Sequence, residues 1–174
     1  NQYNFMRPIQ MVDLIAQYQS IKEAVNASVL QTIESGAFIN GPAVQNFKAS
    51  LESYLDVKHV IPCANGTDAL QIALMALGLQ PGDEVIVPAF TYVATAEVIA
   101  LLRLKPIMVD VDPNTFNITA AIVKAALSPK TKAVVPVHLF GQSVDMQPLI
   151  ELSEKHGFYL VEDNAQAIGA DYIF

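Results

Sequence analysis

An acid and an amide lie close together after an apolar stretch of the chain. Phe158–Val161 predicts a buried strand, and Glu162-Asp163-Asn164-Ala165-Gln166-Ala167 follows it directly. These polar side chains therefore fall at the carboxyl end of a strand, where open α/β sheets bind their ligands. A carboxylate there can hold the protonated ring nitrogen of a ligand, or it can cap the turn that follows the strand. The motif alone leaves both interpretations open.

A second motif could bind phosphate. The segment Ala64-Asn65-Gly66-Thr67-Asp68-Ala69-Leu70 follows a candidate strand and begins a candidate helix. The first N–H groups of a helix lack partners within it and lie at the positive end of its dipole, so they can bind an anion. Gly66 would let the backbone approach a ligand closely, and Thr67 would add a hydroxyl donor. The alternative is an ordinary Thr or Asp helix cap.

Two more side chains are predicted at the same edge of the sheet. Tyr92, in Ala89-Phe90-Thr91-Tyr92-Val93-Ala94-Thr95, follows the second strand and could stack on a planar ligand or belong to the core. His138, in Val137-His138-Leu139-Phe140-Gly141-Gln142, ends another strand. It could be a hydrogen-bonded structural residue or an acid or base.

These motifs together place a phosphate cradle, an aromatic ring and an acid at the ends of different parallel strands. A flat phosphorylated cofactor requires this combination. Pyridoxal phosphate is such a cofactor, and an acid that keeps its ring nitrogen protonated lets the ring accept electrons from a substrate carbanion.

Composition and charge narrow the class of protein. The chain has 174 residues, of which 52% are hydrophobic and 16% charged, with a net charge of −7. The negative charge argues against nucleic acid and anionic membrane surfaces as partners. So apolar a chain is expected to bury surface against another subunit or further sequence. The single cysteine, Cys63, predicts a reducing, cytoplasmic location. No metal site is expected, because Asp110–Asn114 lacks the later Gly and Glu of a calcium loop.

Hydrophobic periodicity predicts two opening helices and then alternating strands and helices. Asp13 is expected to cap the first helix, Gly36 to end it, and Pro42 to begin the second. Apolar strands separated by helices indicate an α/β fold with a mostly parallel sheet covered on both faces. The predicted strands are His59–Pro62, Glu84–Val87, Pro106–Val111, Ala133–His138 and Phe158–Glu162. The predicted helices between them are Thr67–Leu77, Thr95–Leu102, Thr119–Leu127 and Met146–Lys155.

In these motifs the chain resembles the DegT/StrS group of sugar-nucleotide aminotransferases, which are pyridoxal phosphate enzymes of fold type I. The resemblance runs from Met11 to Phe174 and is specific because the motifs occur in order. It implies that 1–57 form a helical arm with a substrate loop and that 58–174 form part of the cofactor-binding large domain. The segments that carry it are Phe38–Pro42, Asn65–Leu70, Pro81–Ile86, Phe90–Thr95, Val137–Gln142 and Glu162–Ala167.

The resemblance also implies roles for individual residues. Gly66, Thr67 and Asp68 would hold the cofactor phosphate. Tyr92 would stack on the cofactor ring, Asp163 would pair with the ring nitrogen, and Gln166 would approach the 3-hydroxyl. The loop at Phe38, Ile39 and Asn40 would help form a sugar pocket near a homodimer interface, and His138 would support the site. The cofactor residues are Gly66, Thr67, Asp68, Tyr92, Asp163 and Gln166.

Similar enzymes transfer the amino group of glutamate to a nucleotide-linked keto sugar, and the motifs are nearest to members that aminate a 3-keto sugar. The lysine that forms the Schiff base is not found after the Glu162–Ala167 segment, so we expect it beyond Phe174 and predict no catalytic residue within this chain. The strand at His59–Pro62 would then lack its neighbours, and residues 1–174 alone are not expected to form a stable domain.

Two other functions remain open at this point. One is a pyridoxal phosphate-dependent sugar dehydratase of the same fold, in which another residue replaces the lysine. The other is a non-catalytic relative that binds a sugar nucleotide or acts as a regulator.

Overall fold

The computed structural model describes residues 11–173, which form two compact units that meet in sequence between Pro62 and Cys63. Residues 1–10 and Phe174, which the predicted domains 1–57 and 58–174 include, lie outside the described residues.

The first unit contains two helices, α1 (Leu14–Ser35) and α2 (Pro42–Leu55). Asp13 caps α1 because its side chain accepts the Ala16 N–H, and Gly36 ends the helix in the left-handed conformation, as predicted. None of the helices in the described part of the chain is long and apolar enough to cross a membrane.

The second unit alternates helices and strands and contains a parallel sheet in the order β2-β1-β3-β4. Register pairs Glu84 of β1 with Lys105 of β2 and with Thr131 of β3. The elements are α3 (Gly66–Ala76), β1 (Glu84–Pro88), α4 (Ala94–Leu101), β2 (Lys105–Val109), α5 (Ala120–Ala126), β3 (Thr131–Val134), α6 (Met146–His156) and β4 (Tyr159–Leu160).

Helices cover both faces of this sheet, so the predicted fold class is confirmed. Strand β1 is buried throughout, and its side chains alternate between two hydrophobic clusters. Val85 and Val87 pack in the cluster that includes residues of α3 and α4, whereas Ile86 packs in the one that includes residues of α5 and α6. The carboxyl ends of all four strands therefore meet at one edge, where the predicted site residues follow them.

Several of the predicted strands are absent or shorter in the structure. Residues 59–62 form no strand in the structure, because a strand requires a paired neighbour and this segment has none among the described residues. The Val60 N–H donates instead to the carboxylate of Glu52 in α2. The predicted strands Pro106–Val111, Ala133–His138 and Phe158–Glu162 end early, at Val109, Val134 and Leu160. A short 3-10 turn, Leu139–Gly141, comes after the second of them.

Candidate active site

An open depression of about 330 Å³ lies at the carboxyl edge of the sheet. The loop after β1 contributes Phe90 and Tyr92 to its wall, and Phe140 and Gln166 line the other side. Tyr92 is 74% exposed, so its ring is a free surface and not part of the core. The structure thus brings together two of the predicted cofactor residues, Tyr92 and Gln166.

Asp163 is held at the same edge by the backbone and by two hydrogen bonds to its carboxylate. It forms a parallel bridge with Val137 and is only 7% exposed. Its Oδ2 accepts the hydroxyl of Thr95 at 2.8 Å, and its Oδ1 accepts the N–H of Ala165 at 3.2 Å. Each carboxylate oxygen therefore retains capacity for one more donor.

No ion pair involves Asp163 among residues 11–173. A buried carboxylate without a cationic partner is costly, and it becomes favourable when a cation docks against it. A protonated ring nitrogen would supply that cation. The environment of Asp163 therefore fits a pyridinium group, which is the chemistry that pyridoxal phosphate would bring.

Gln166 already has one partner, since its Oε1 accepts the Phe140 N–H at 2.7 Å. Its carboxamide NH₂ group remains as the donor on the side of the depression. This geometry fits the predicted role toward a 3-hydroxyl oxygen, and it also fixes the turn that carries Phe140.

His138 is buried, and both of its ring nitrogens are engaged. Nδ1 accepts the Val144 N–H at 2.9 Å, so the proton of the neutral ring lies on Nε2 and is donated to Glu162 at 2.8 Å. These bonds join the strand end to the loop that follows the 3-10 turn. These bonds give His138 a structural role, and they leave it no free nitrogen with which to act as a base.

Asn117 is a structural residue of the site that sequence reasoning missed. It is 4% exposed, its Oδ1 accepts the Leu139 N–H and its Nδ2 donates to the Gln142 carbonyl, so it spans the 3-10 turn. Phe140 within the turn has a positive φ of 57°, an uncommon conformation for an aromatic residue. No spacing rule joins positions 117 and 139, and only the fold could reveal this clamp.

The start of α3 carries the predicted phosphate cradle. Asn65 caps the helix by accepting the Asp68 N–H at 2.9 Å, and its Nδ2 donates to the Asp68 carboxylate. The amides of Gly66 and Thr67 therefore remain the free donors at this helix start. A Cβ added at Gly66 would meet nothing within 4 Å, which leaves the approach to these amides open. The body of α3 packs against α4.

The loop at Phe38–Asn40 lies in the first unit, where Phe38 and Ile39 are exposed and Asn40 has a positive φ of 49°. The tight turn depends on Gly41, because a Cβ there would lie 2.1 Å from the Ala37 carbonyl oxygen. An exposed apolar loop of this kind is available for contact with a ligand or a second chain.

Other charged groups have structural roles. Asp112 accepts the N–H groups of Asn114 and Thr115, and these bonds lower its pKa by stabilising the carboxylate. It therefore closes a turn. The described residues contain no group of three or more His, Cys, Asp or Glu side chains that could hold a metal.

A family model describes the same part of the chain. Residues 19–173 match the DegT/DnrJ/EryC1/StrS aminotransferase family. The chain belongs to this family. One relative, a UDP-2-acetamido-2-deoxy-3-oxo-D-glucuronate aminotransferase of Pseudomonas aeruginosa, is 46% identical over 94% of this chain and 46% of its own length. The chain therefore spans less than half of that DegT-family relative.

Solved structures of DegT-family proteins have the same fold. DesV of Streptomyces venezuelae, solved in complex with ketimine intermediate, superposes with a TM-score of 0.91 at 36% identity, over 94% of this chain and 44% of DesV. NtdA of Bacillus subtilis, solved with bound cofactor PMP, gives 0.86 at 35% identity, over 96% of this chain and 39% of NtdA. At these identities the likeness extends beyond fold to family.

Proposed function

We propose that the protein transfers the amino group of glutamate to the ketone of a nucleotide-linked sugar, with pyridoxal phosphate as cofactor and a 3-keto sugar as the favoured acceptor. The net reaction converts glutamate and the keto sugar into 2-oxoglutarate and the amino sugar. Family membership supports the reaction class, and the Pseudomonas relative, whose name specifies a 3-oxo sugar, supports the position of amination.

The observation that carries the proposal is the environment of Asp163. A buried carboxylate with no cationic partner in the described chain stands at the sheet edge, and the exposed ring of Tyr92 lines a depression at that edge. Pyridoxal phosphate, when bound, supplies an electron sink for a carbanion formed at the amino donor. The chain's own contribution is to keep the ring nitrogen protonated through Asp163 and to exclude water from one face of the ring through Tyr92.

Other residues would orient the cofactor. The amides of Gly66 and Thr67 and the Thr67 hydroxyl would bind its phosphate, with the Asp68 amide shared with the Asn65 cap. Gln166 would donate its NH₂ group to the 3-hydroxyl oxygen. His138 would hold the strand end in register through its bonds to Val144 and Glu162.

Phe38, Ile39 and Asn40, in the loop between α1 and α2, would contact the sugar. We also propose a homodimer, because α1 exposes large apolar side chains along one stripe, at Leu14, Ile21 and Val29, which a second subunit could cover. A cytoplasmic location is supported by the free, exposed thiol of Cys63, which a reducing compartment would preserve.

The proposal predicts that Asp163→Asn lowers turnover at least about a hundredfold, because it removes the preorganised negative charge that would face the protonated ring nitrogen. The measurement is formation of 2-oxoglutarate and amino sugar by the full-length protein, given pyridoxal phosphate, glutamate and a UDP-linked 3-keto sugar. Asp171→Asn, which removes an exposed carboxylate, is the matched control and should leave turnover unchanged.

The same experiment separates the other functions. An Asp163→Asn variant that retains most of its activity would contradict the role of the acid. Consumption of the sugar without release of 2-oxoglutarate would indicate a dehydratase. Failure of the wild-type protein to bind pyridoxal phosphate would indicate a non-catalytic relative.

A further inference from the structure

We infer that Thr95 is a positioning residue of the site: its hydroxyl holds the Asp163 carboxylate at a set distance from the helix start that carries Tyr92. This inference rests on the proposed function, since it concerns how the two groups that would meet the cofactor ring are kept in register. Thr95 is the last residue of the motif Ala89–Thr95, and the sequence alone indicates no role for it.

The contact joins two distant parts of the chain. Thr95 is 1% exposed, and its Oγ1 donates to Asp163 Oδ2 at 2.8 Å across 68 positions of sequence. A hydroxyl in the first turn of a helix commonly bonds to nearby backbone groups of the same helix. Here α4 has no side-chain cap, and the hydroxyl of its second residue points to a carboxylate on another strand end. A buried donor committed to a buried acid in this way constrains both elements.

Thr95 is also tied to Tyr92. The Thr95 N–H donates to the Tyr92 carbonyl at 3.4 Å, so the two residues share one turn of backbone. One residue thus bonds through its main chain to the loop with the exposed ring and through its side chain to the acid. In the proposed function, Tyr92 would stack on the cofactor ring and Asp163 would pair with its nitrogen, so both residues would contact one planar group. The Thr95 hydroxyl sets the relation between these two contacts.

The hydroxyl also determines which lone pairs of Asp163 remain for a ligand. Thr95 occupies one site on Oδ2 and Ala165 one on Oδ1, which prevents free rotation of the carboxylate. Without the Thr95 donor the carboxylate could turn, and its alignment with a ring nitrogen would be lost. Affinity for the cofactor therefore depends on a residue that does not line the depression.

The test compares Thr95→Val, which removes the donor at nearly constant volume, with Thr95→Ser, which retains it. Pyridoxal phosphate is titrated into the full-length proteins and followed by its visible absorption. We expect Thr95→Val to weaken binding by about ten- to a hundredfold, the factor that corresponds to a hydrogen bond with a charged group. Thr95→Ser should bind within about twofold of wild type, because it rescues the hydroxyl.

Thr131→Val is the matched control for loss of a buried hydroxyl. Thr131 is also buried, and its hydroxyl accepts the Ser128 N–H at the opposite edge of the sheet. This variant should lose stability while its cofactor affinity stays at the wild-type value. Loss of affinity in Thr131→Val equal to that in Thr95→Val would show a general effect of destabilisation and would overturn the inference.

Other outcomes would also overturn the inference about the Thr95 hydroxyl. Wild-type affinity in Thr95→Val, or equal weakening in Thr95→Val and Thr95→Ser, would overturn the role of the hydroxyl while leaving the proposed function intact. If Thr95→Val does not fold, Thr95→Cys replaces it, because a thiol is a weak donor of similar size, and wild-type affinity there would overturn the inference. A wild-type protein that binds no pyridoxal phosphate would overturn both the proposed function and this inference.

Discussion

At the scale of single residues, the candidate site depends on groups that the fold holds in place but leaves available to a ligand. Tyr92 presents an exposed ring, Asp163 keeps spare lone pairs, and Gly66 leaves open space in front of its amide. Open space at a glycine without a positive φ has no role in folding, because an alanine would fit there equally well. In the proposed function, the missing side chain of Gly66 would let the cofactor phosphate approach the backbone.

We therefore predict opposite effects of Gly66→Ala on stability and on binding. The free energy of unfolding should stay constant or rise by about 0.4–1 kcal/mol, because the unfolded chain loses freedom and the added Cβ meets no atom. Pyridoxal phosphate should bind about tenfold more weakly, as expected when a hydrogen bond to its phosphate is lengthened. Urea unfolding and absorbance titration of the full-length protein measure the two quantities.

Gly157→Ala is the control for this prediction. Gly157 ends α6 with a φ of 71°, so alanine there should cost about 1 kcal/mol of stability without changing affinity for the cofactor. If Gly66→Ala leaves the affinity for pyridoxal phosphate unchanged, the start of α3 does not bind the cofactor phosphate.

At the scale of elements, the edge of the sheet opposite the site is held by an ionic contact. Glu84 begins β1, receives the Lys105 ammonium of β2 at 3.0 Å, and accepts the Ser128 hydroxyl from the segment before β3. The hydrogen bonds from Ser128 and Lys105 lower the pKa of Glu84 below its ordinary 4.5 by stabilising the carboxylate. This contact joins three neighbouring strands where their register begins.

The lowered pKa predicts a pH-dependent contribution to stability. The ionised Glu84 stabilises the fold fully above pH 4.5, and the contribution is lost as pH falls through the lower pKa of the folded state. The free energy of unfolding of wild type should therefore exceed that of Glu84→Gln near neutral pH, and the gap should shrink in acid. Urea unfolding across this range checks it, with exposed Glu154→Gln as control. A gap that does not change with pH would show that Glu84 stabilises by packing alone.

At the scale of the whole molecule, the first unit exposes apolar surface on its long helix. No residue of α1 is buried, and Leu14, Ile21 and Val29 each expose half or more of their side chains along one stripe. Side chains of this size are normally covered in the functional assembly. The proposed homodimer would cover them.

We predict that charge on this stripe weakens self-association of the full-length protein. Ile21→Asp combined with Val29→Asp should shift the species measured by analytical ultracentrifugation from dimer to monomer, because two carboxylates would be buried without partners. Ala27→Asp, an exposed position on the opposite face of the same helix, should remain a dimer. A dimer that persists in the double variant would place the interface elsewhere.

Local signals in the sequence determined the helices, the fold class and the ends of several elements. Asp13, Gly36 and Pro42 act on the backbone within a few residues of themselves, so their effects can be inferred without knowing the fold. The strand-end motifs likewise placed Tyr92 and Asp163 at one edge, because parallel strands all end on the same side. Family motifs then indicated the chemistry for which such an edge is suited.

The tertiary structure alone decided which distant groups meet. The bond from Thr95 to Asp163 and the clamp of Asn117 on the turn at Leu139 join positions that no periodicity relates. The segment at 59–62 shows the converse, since its apolar pattern predicts a strand and yet it forms none. A strand depends on a neighbouring strand to satisfy its backbone N–H and C=O groups. A buried carboxylate likewise depends on a donor from elsewhere in the chain, and only the folded arrangement supplies either partner.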